Sequence, residues 1–265
     1  MGYLKLEREW ADDASEFCAK SIGKALERNR VPENTVSAKR IVVAIDGPAA
    51  AGKSTLARRL AQRLGFTYIN TGAMYRAVAL WALRRQTDLS DLHRLEQLAK
   101  EARIEFGAED DQILLNGEDV SAAIRSEEVS TAASKVSSIP AVRRALVAAQ
   151  RRIAELSSVV MEGRDIGTVV FPDAQVKIYL DADPRERARR RTLELAGRGI
   201  AADLDGVATD IRQRDERDRT RAASPLRQAP DADLIDTTGL RLDEVEEKVL
   251  QLVRSRTANG KEVAR

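Results

Sequence analysis

The stretch Gly47-Pro48-Ala49-Ala50-Ala51-Gly52-Lys53-Ser54-Thr55 joins residue types whose order points to one chemistry. The spacing from Gly47 to Ser54 fits the phosphate loop G-x-x-x-x-G-K-[ST]. Glycines let the backbone curl so that successive N–H groups turn inward, and a helix beginning near Lys53 adds its positive end. Lys53 is placed to reach the β- and γ-phosphates of a nucleotide, and the Ser54 hydroxyl to ligate Mg²⁺. All nine residues, Gly47 through Thr55, are candidate polyphosphate ligands. The apolar run Ile41–Ile45 ahead of the loop reads as a buried strand. Behind it, Leu56, Leu60 and Leu64 share one helical face.

A second concentration of chemistry lies at 185–227. It holds twelve arginines and no lysine. A solvated helix normally mixes the two, so planar, bidentate recognition of phosphate or carboxylate is favoured. A nucleic-acid stripe fits poorly: Asp203, Asp205, Asp210, Asp215, Glu216 and Asp218 interleave, and stacking aromatics are missing. Arg214, Asp218 and Arg221 line one helix face. By themselves they could equally form a surface ion-pair ladder worth little energy. The phosphate loop elsewhere in the chain favours a small charged substrate.

The elements that must carry these groups alternate between strand and helix. Gly65–Ile69 is β-rich. Asn70-Thr71-Gly-Ala-Met-Tyr75-Arg76 opens a helix through about Arg84, with Asn70 or Thr71 as its cap. Ser90 is expected to cap the next helix. Residues 103–120 change character: Ile104–Phe106, Ile113–Leu115 and Val120 look like short strands, and Asn116-Gly117 is a tight-turn signal. Residues 121–156 return to helix, broken at Pro140. Strands at Ser158–Met161, Val176–Leu180 and Leu234–Ile235 run into Glu162, Asp181 and Asp236, and a last helix carries Val245, Val249 and Leu252. Acidic residues closing strand after strand suggest one polar edge of a parallel sheet, where α/β proteins bind ligands. At the N-terminus, Leu6, Trp10, Phe17, Ile22 and Leu26 predict a helix over residues 1–30. Pro32–Lys39 reads as a polar linker, and the tail after Arg256 as frayed.

The 265 residues carry 44 basic and 42 acidic side chains, so no global field attracts nucleic acid or membrane. The single cysteine, Cys18, excludes an internal disulfide and suits a reducing compartment. No run approaches the ~18 apolar residues of a membrane span, and the N-terminus has no secretory core. A cytoplasmic, monomeric protein is expected.

Four separated motifs carry a resemblance: Ile45–Thr55, Thr71-Gly-Ala-Met-Tyr-Arg76, Glu162-Gly-Arg-Asp-Ile-Gly-Thr-Val-Val-Phe-Pro172 and Arg214-Asp-Glu-Arg-Asp-Arg-Thr-Arg221. Over about residues 40–256 the chain resembles the bacterial cytidylate kinases, which are nucleoside monophosphate kinases. The phosphate loop is common to many ATPases; the Gly-Arg-Asp-Ile-Gly-Thr block is far more specific. The resemblance implies an α/β fold: a five-stranded parallel sheet forming a P-loop kinase core with flanking helices. It also implies a monophosphate-binding insert at about 71–155, containing a small antiparallel sheet, and an Arg-rich lid at about 187–210. Residues 1–38 fall outside it, as an extension to a kinase domain at 39–265. The implied activity is phosphoryl transfer from ATP, with Mg²⁺, to CMP or dCMP in pyrimidine metabolism. By resemblance, Ser134, Arg143 and Asp165 read the cytosine, and Thr71, Arg214 and Asp218 hold the ribose. Arg76, Arg164 and Arg221 hold the acceptor phosphate, and Arg187, Arg190 and Arg191 meet the donor phosphates. Glu162 holds Mg²⁺ through water. The chain departs from the pattern at Asn70, where the family usually has Asp, at Ser54, where some members have Gly, and at Glu162, where some have Asp. Rival readings are a kinase for another small acceptor, a nucleotide-dependent scaffold or RNA-binding protein, and a GTPase switch. Asp236-Thr-Thr-Gly239 fits D-x-x-G, but no Asn-Lys-x-Asp guanine motif exists.

Overall fold

A computed structural model describes residues 40–107 and 112–257. The helix predicted over 1–30, the linker after it and the tail beyond 257 lie outside the described residues.

β1 (Val42–Asp46) is buried throughout, as expected of a strand covered on both faces. It lies mid-sheet. β2 (Thr67–Asn70), β6 (Val159–Glu162), β7 (Val176–Asp181) and β8 (Asp233–Asp236) complete a five-stranded parallel sheet in the order β2-β6-β1-β7-β8. The register pairs Ile45 with Glu162 and Asp46 with Tyr179. The strands' acidic ends therefore share one edge, as their sequence positions suggested.

Strand alternation sorts the core into two layers. Val42 and Ala44 of β1 join Met161 and Ile69 under α2 (Thr71–Arg84), α3 (Leu92–Glu101), α4 (Glu127–Val136) and α5 (Pro140–Ala154). Val43 and Ile45 face the other way, packing with α1 (Lys53–Leu64) and α8 (Leu242–Thr257) through Leu56, Leu60, Val249 and Val253. The insert is a separate antiparallel sheet of β3 (Ile104–Phe106), β4 (Ile113–Leu115) and β5 (Glu118–Asp119). Asn116 and Gly117 both take positive φ, 52° and 85°, which the tight turn between β4 and β5 requires. The third strand forms just before Val120, whose side chain is buried after the strand ends.

α6 (Pro184–Ala196) and α7 (Leu204–Thr220) form an arginine-bearing pair, packed through Ala188, Val207 and Ile211. One open choice is settled and one local expectation shifts. Asn70, not Thr71, caps α2, its side chain accepting from the Ala73 N–H at 3.0 Å. Asp91, not Ser90, caps α3, accepting from Arg94 N–H at 2.9 Å. The Ser90 N–H instead donates to Asp88. Both residues were competent caps, and the Asp88 turn decides between them. The helical stretch at 121–156 resolves into a 3₁₀ turn (Ala123–Arg125), α4 capped by Ser126, and α5 with Pro140 in its first turn.

Candidate functional site

The phosphate loop leaves β1 at the acidic edge and enters α1. Gly47 has φ +145°, and a Cβ there would lie 2.0 Å from the Leu180 carbonyl oxygen, so close packing against β7 demands glycine. Gly52, at φ +91°, caps α1 in the left-handed region. Lys53 opens α1 buried, its Nζ donating to the Pro48 carbonyl at 2.5 Å across the loop. Burial pulls its ammonium down to about 7. The like charges of Arg164 and Arg214 add to this against the opposing pull of Glu162 and Asp215.

Around this loop the structure gathers most of the expected residues. Glu162 ends β6, and its carboxylate accepts from the Tyr68 hydroxyl at 2.7 Å; its carbonyl accepts from Thr71 Oγ1 at 2.7 Å. Arg164 Nε donates to Asp218 of α7 at 2.9 Å. Burial alone raises a carboxyl's pKa, but Arg164, Arg214 and Arg221 outweigh it and hold Asp218 below its ordinary value. Arg214 is pushed down to about 10 by burial, then by Arg164, Arg76 and Arg191 among its neighbours, against the opposing pull of Asp218. Cations so crowded, with too few carboxylates between them, make a site for a polyanion.

Beside this cluster, Asp165 accepts from buried Arg143 of α5, and Arg221 Nη2 stands 3.7 Å from its other oxygen. The Arg143 guanidinium lies over the Tyr75 ring, 5.3 Å from its centre. Burial pushes the Tyr75 phenol up to about 12. Among the described residues, Arg76 Nε, Arg143 Nε and Arg221 Nη2 are buried without a hydrogen-bond partner, which suits a cleft built for a polar ligand. Ser134, on α4, is half-buried, and its carbonyl accepts from Ser137 Oγ.

The arginines expected to meet the donor phosphates are engaged with protein. Arg190 donates to Glu186 and to both oxygens of Thr237. Arg191 pairs with Glu194 at 2.7 Å. Arg187, 4% exposed, donates to Ala182, Ala49 and Asp215.

Four residues with parts in this site were not singled out for them in the sequence. Asp46, at the end of β1, accepts from the Ile166 and Gly167 N–H groups, both at 2.8 Å, and so holds the π-helical turn (Ile166–Val170) that follows Asp165. Burial, offset by those two bonds, raises its pKa to about 6. Tyr75 lies inside the Thr71–Arg76 motif, where an aromatic among small residues was the available signal. Thr237 belongs to the D-x-x-G match; it bonds the Asp181 carbonyl at 3.0 Å and stands 3.5 Å from that of Ala51, a strut beneath the phosphate loop. Asp215 was one acid among several.

Ser54 in the first turn of α1 and the Glu162 carboxylate offer hard oxygen donors, and this set fits Mg²⁺, which takes one or two protein oxygens and completes its shell with phosphate and water. Among the described residues, no helix is long and apolar enough to cross a membrane.

A parallel sheet with a phosphate loop after its middle strand and an arginine-lined cleft at that edge defines a P-loop kinase. The cytidylate kinase family model matches residues 43–255. A cytidylate kinase of Solibacter usitatus (strain Ellin6076) is 60% identical over 226 residues, covering 84% of this chain and 97% of the relative. One from Pelotomaculum thermopropionicum is 50% identical over 222 residues, covering 83% and 96%. One from Rhodococcus jostii (strain RHA1) is 47% identical over 228 residues, covering 85% and 100%. The chain belongs to the cytidylate kinase family, and it is a nucleoside monophosphate kinase.

The depressed Lys53 ammonium carries a pH signature. In the empty protein at pH 8 most of Lys53 is neutral; a bound triphosphate favours its charged form, so binding takes up a proton. The uptake fades below about pH 6, where Lys53 is already charged. Titration calorimetry of ATP binding at pH 8, in buffers of differing ionisation enthalpy, should show it, and Lys53→Met should abolish it. Equal uptake in parent and variant would assign the proton elsewhere.

Proposed function

We propose that this enzyme transfers the γ-phosphoryl group of ATP to CMP and dCMP, giving ADP and CDP or dCDP, as a monomer in cytoplasmic pyrimidine nucleotide metabolism. The observation that carries the reading is the Arg143–Asp165 pair, buried beside a cationic cluster that Lys53 shares electrostatically with Arg164 and Arg214. A base reader and a phosphate site thus adjoin the donor loop. In this reading Gly47–Thr55 cradle the donor phosphates and Arg190 and Arg191 lie at the base of the lid. Arg76, Arg164 and Arg221 hold the acceptor phosphate. Thr71, Arg214 and Asp218 hold the ribose, and Ser134, Arg143 and Asp165 read the base. Asp165 can accept from the exocyclic N4 amine of cytosine, and Arg143 and Ser134 can donate to O2 or N3.

The chemistry asks little of a general base, because the acceptor oxygen is already anionic near pH 7. The transition state is loose, so alignment and cationic stabilisation dominate. Ser54 and, through water, Glu162 would hold Mg²⁺, which would neutralise charge on the donor phosphates. Lys53 and the arginines supply the rest, and closure of the lid excludes water that would otherwise hydrolyse ATP.

Steady-state transfer from ATP to a panel of CMP, dCMP, UMP, AMP and small metabolites tests this reading. CMP and dCMP should lead; equal use of UMP or AMP would overturn it. No motif falls within residues 1–38, so their deletion should leave kcat and the KM for CMP within about twofold of the full chain. A loss of folded, soluble protein would instead make Trp10 and Phe17 part of the core.

A further inference from the structure

The phosphate loop is held from outside at two adjacent residues. At Ala49 both backbone groups are taken: its N–H donates to Asp215 Oδ1 at 3.0 Å, and its carbonyl accepts from Arg187 Nη1 at 3.1 Å. Arg187 and Asp215 bond each other, and Arg187 Nε donates to the Ala182 carbonyl at 3.0 Å, just past the end of β7. The pair is buried, with exposures of 4% and 2%. Arg187 belongs to α6 and Asp215 to α7, so one ion pair joins two helices and the loop. Next along, Ala50 takes φ +59° and packs against the small apolar cluster of Ala188, Val207 and Ile211, which the same helices form. A non-glycine residue holds that conformation only where its surroundings over-determine it.

We propose that Arg187 and Asp215 are a positioning pair that grips Ala49 and makes the shape of the phosphate loop depend on the packing of α6 on α7, with neither residue contacting the donor phosphates. The inference rests on the proposed phosphotransfer reading and reassigns Arg187, which the family resemblance placed among the phosphate ligands. Ion pairing in water-excluded surroundings is geometrically strict, and half of such a pair left alone disturbs its partners. A buried pair that bonds a loop's backbone at both groups therefore transmits helix packing to that loop. Lid arrangement and donor-site geometry become one equilibrium, while the Arg143–Asp165 pair of the acceptor cleft lies on other elements.

The test separates donor from acceptor binding in the full chain. Asp215→Asn keeps an oxygen for the Ala49 N–H and removes the charge facing Arg187. The double variant Arg187→Met/Asp215→Leu replaces the pair by apolar side chains of similar length, a change that buried pairs often tolerate. Both should weaken the Kd of a non-hydrolysable ATP analogue by tenfold or more and leave the Kd of CMP within about twofold. Restoring Asp215 as Glu should recover less than restoring Asp itself. Three results would overturn the proposal: ATP-analogue affinity within twofold of the parent in the folded double variant, equal weakening of both ligands, or failure of both variants to fold, which would make the pair a folding element only. Failure of the functional reading is distinguishable, because the parent chain itself would then not transfer phosphate to CMP.

Discussion

Replacing Lys53 by alanine is expected to lower kcat by about a hundredfold or more, the scale on which a preorganised charge at a transferring group contributes. Lys53 stands at the junction of β1 and α1, its Nζ held over the loop by the Pro48 carbonyl. In the proposed reading its ammonium faces the donor phosphates, and burial, with crowding by Arg164 and Arg214, depresses its pKa until a polyanion enters. The loss should fall on kcat more than on the KM for CMP, since the acceptor's arginines remain. Fold should survive, because Lys53 makes one hydrogen bond among the described contacts and its charge is disfavoured in the empty protein. Steady-state kinetics with circular dichroism decide the matter, and near-parent turnover would sink the assignment of the donor site.

Asp165→Asn is expected to narrow the preference for CMP over UMP by roughly 1–3 kcal/mol in kcat/KM, the scale of one good base-edge contact. Cytosine offers an amine at its 4-position where uracil offers a carbonyl. A carboxylate there accepts from one and repels the other, and the wrong base leaves a buried polar group unpaired. Asp165 is 5% exposed, and Arg143 and Arg221 flank it. Those same neighbours make a structural alternative concrete: Asp165 could serve only to neutralise Arg143. The two roles separate in one measurement. A base reader loses discrimination, whereas a mere counter-ion loses CMP and UMP alike. Equal weakening of both substrates, with the fold intact by circular dichroism, would therefore reject Asp165 as the reader. Asparagine leaves Arg143 buried without its charged partner, so some loss of thermal stability should accompany the change without bearing on the ratio.

The amino-acid sequence by itself determined what local chemistry can specify. The Gly47–Ser54 spacing makes a phosphate loop because glycine tolerates the positive φ of Gly47 and Gly52, a constraint that acts over a few residues. The run Ile41–Ile45 reads as a buried strand, Asn116-Gly117 as a tight turn, and Glu162, Asp181 and Asp236 as acidic strand ends along one sheet edge. Each is a statement about neighbours in the chain. Tertiary structure alone decided which charges meet. Arg143 and Asp165 are 22 residues apart, Arg164 and Asp218 are 54 apart, and Ala49 and Asp215 are 166 apart. Their contacts exist because the order β2-β6-β1-β7-β8 brings the ends of β1, β6 and β7 side by side. Twelve arginines within 185–227 look alike in sequence. Folding sends Arg187 inward to Asp215 and Ala49, leaves Arg214 among like charges, and spends Arg189 on a surface pair with Glu186. No periodicity encodes that division, because it depends on which carboxylate or carbonyl the folded chain brings within reach of each guanidinium, and on how much water remains to compete for it.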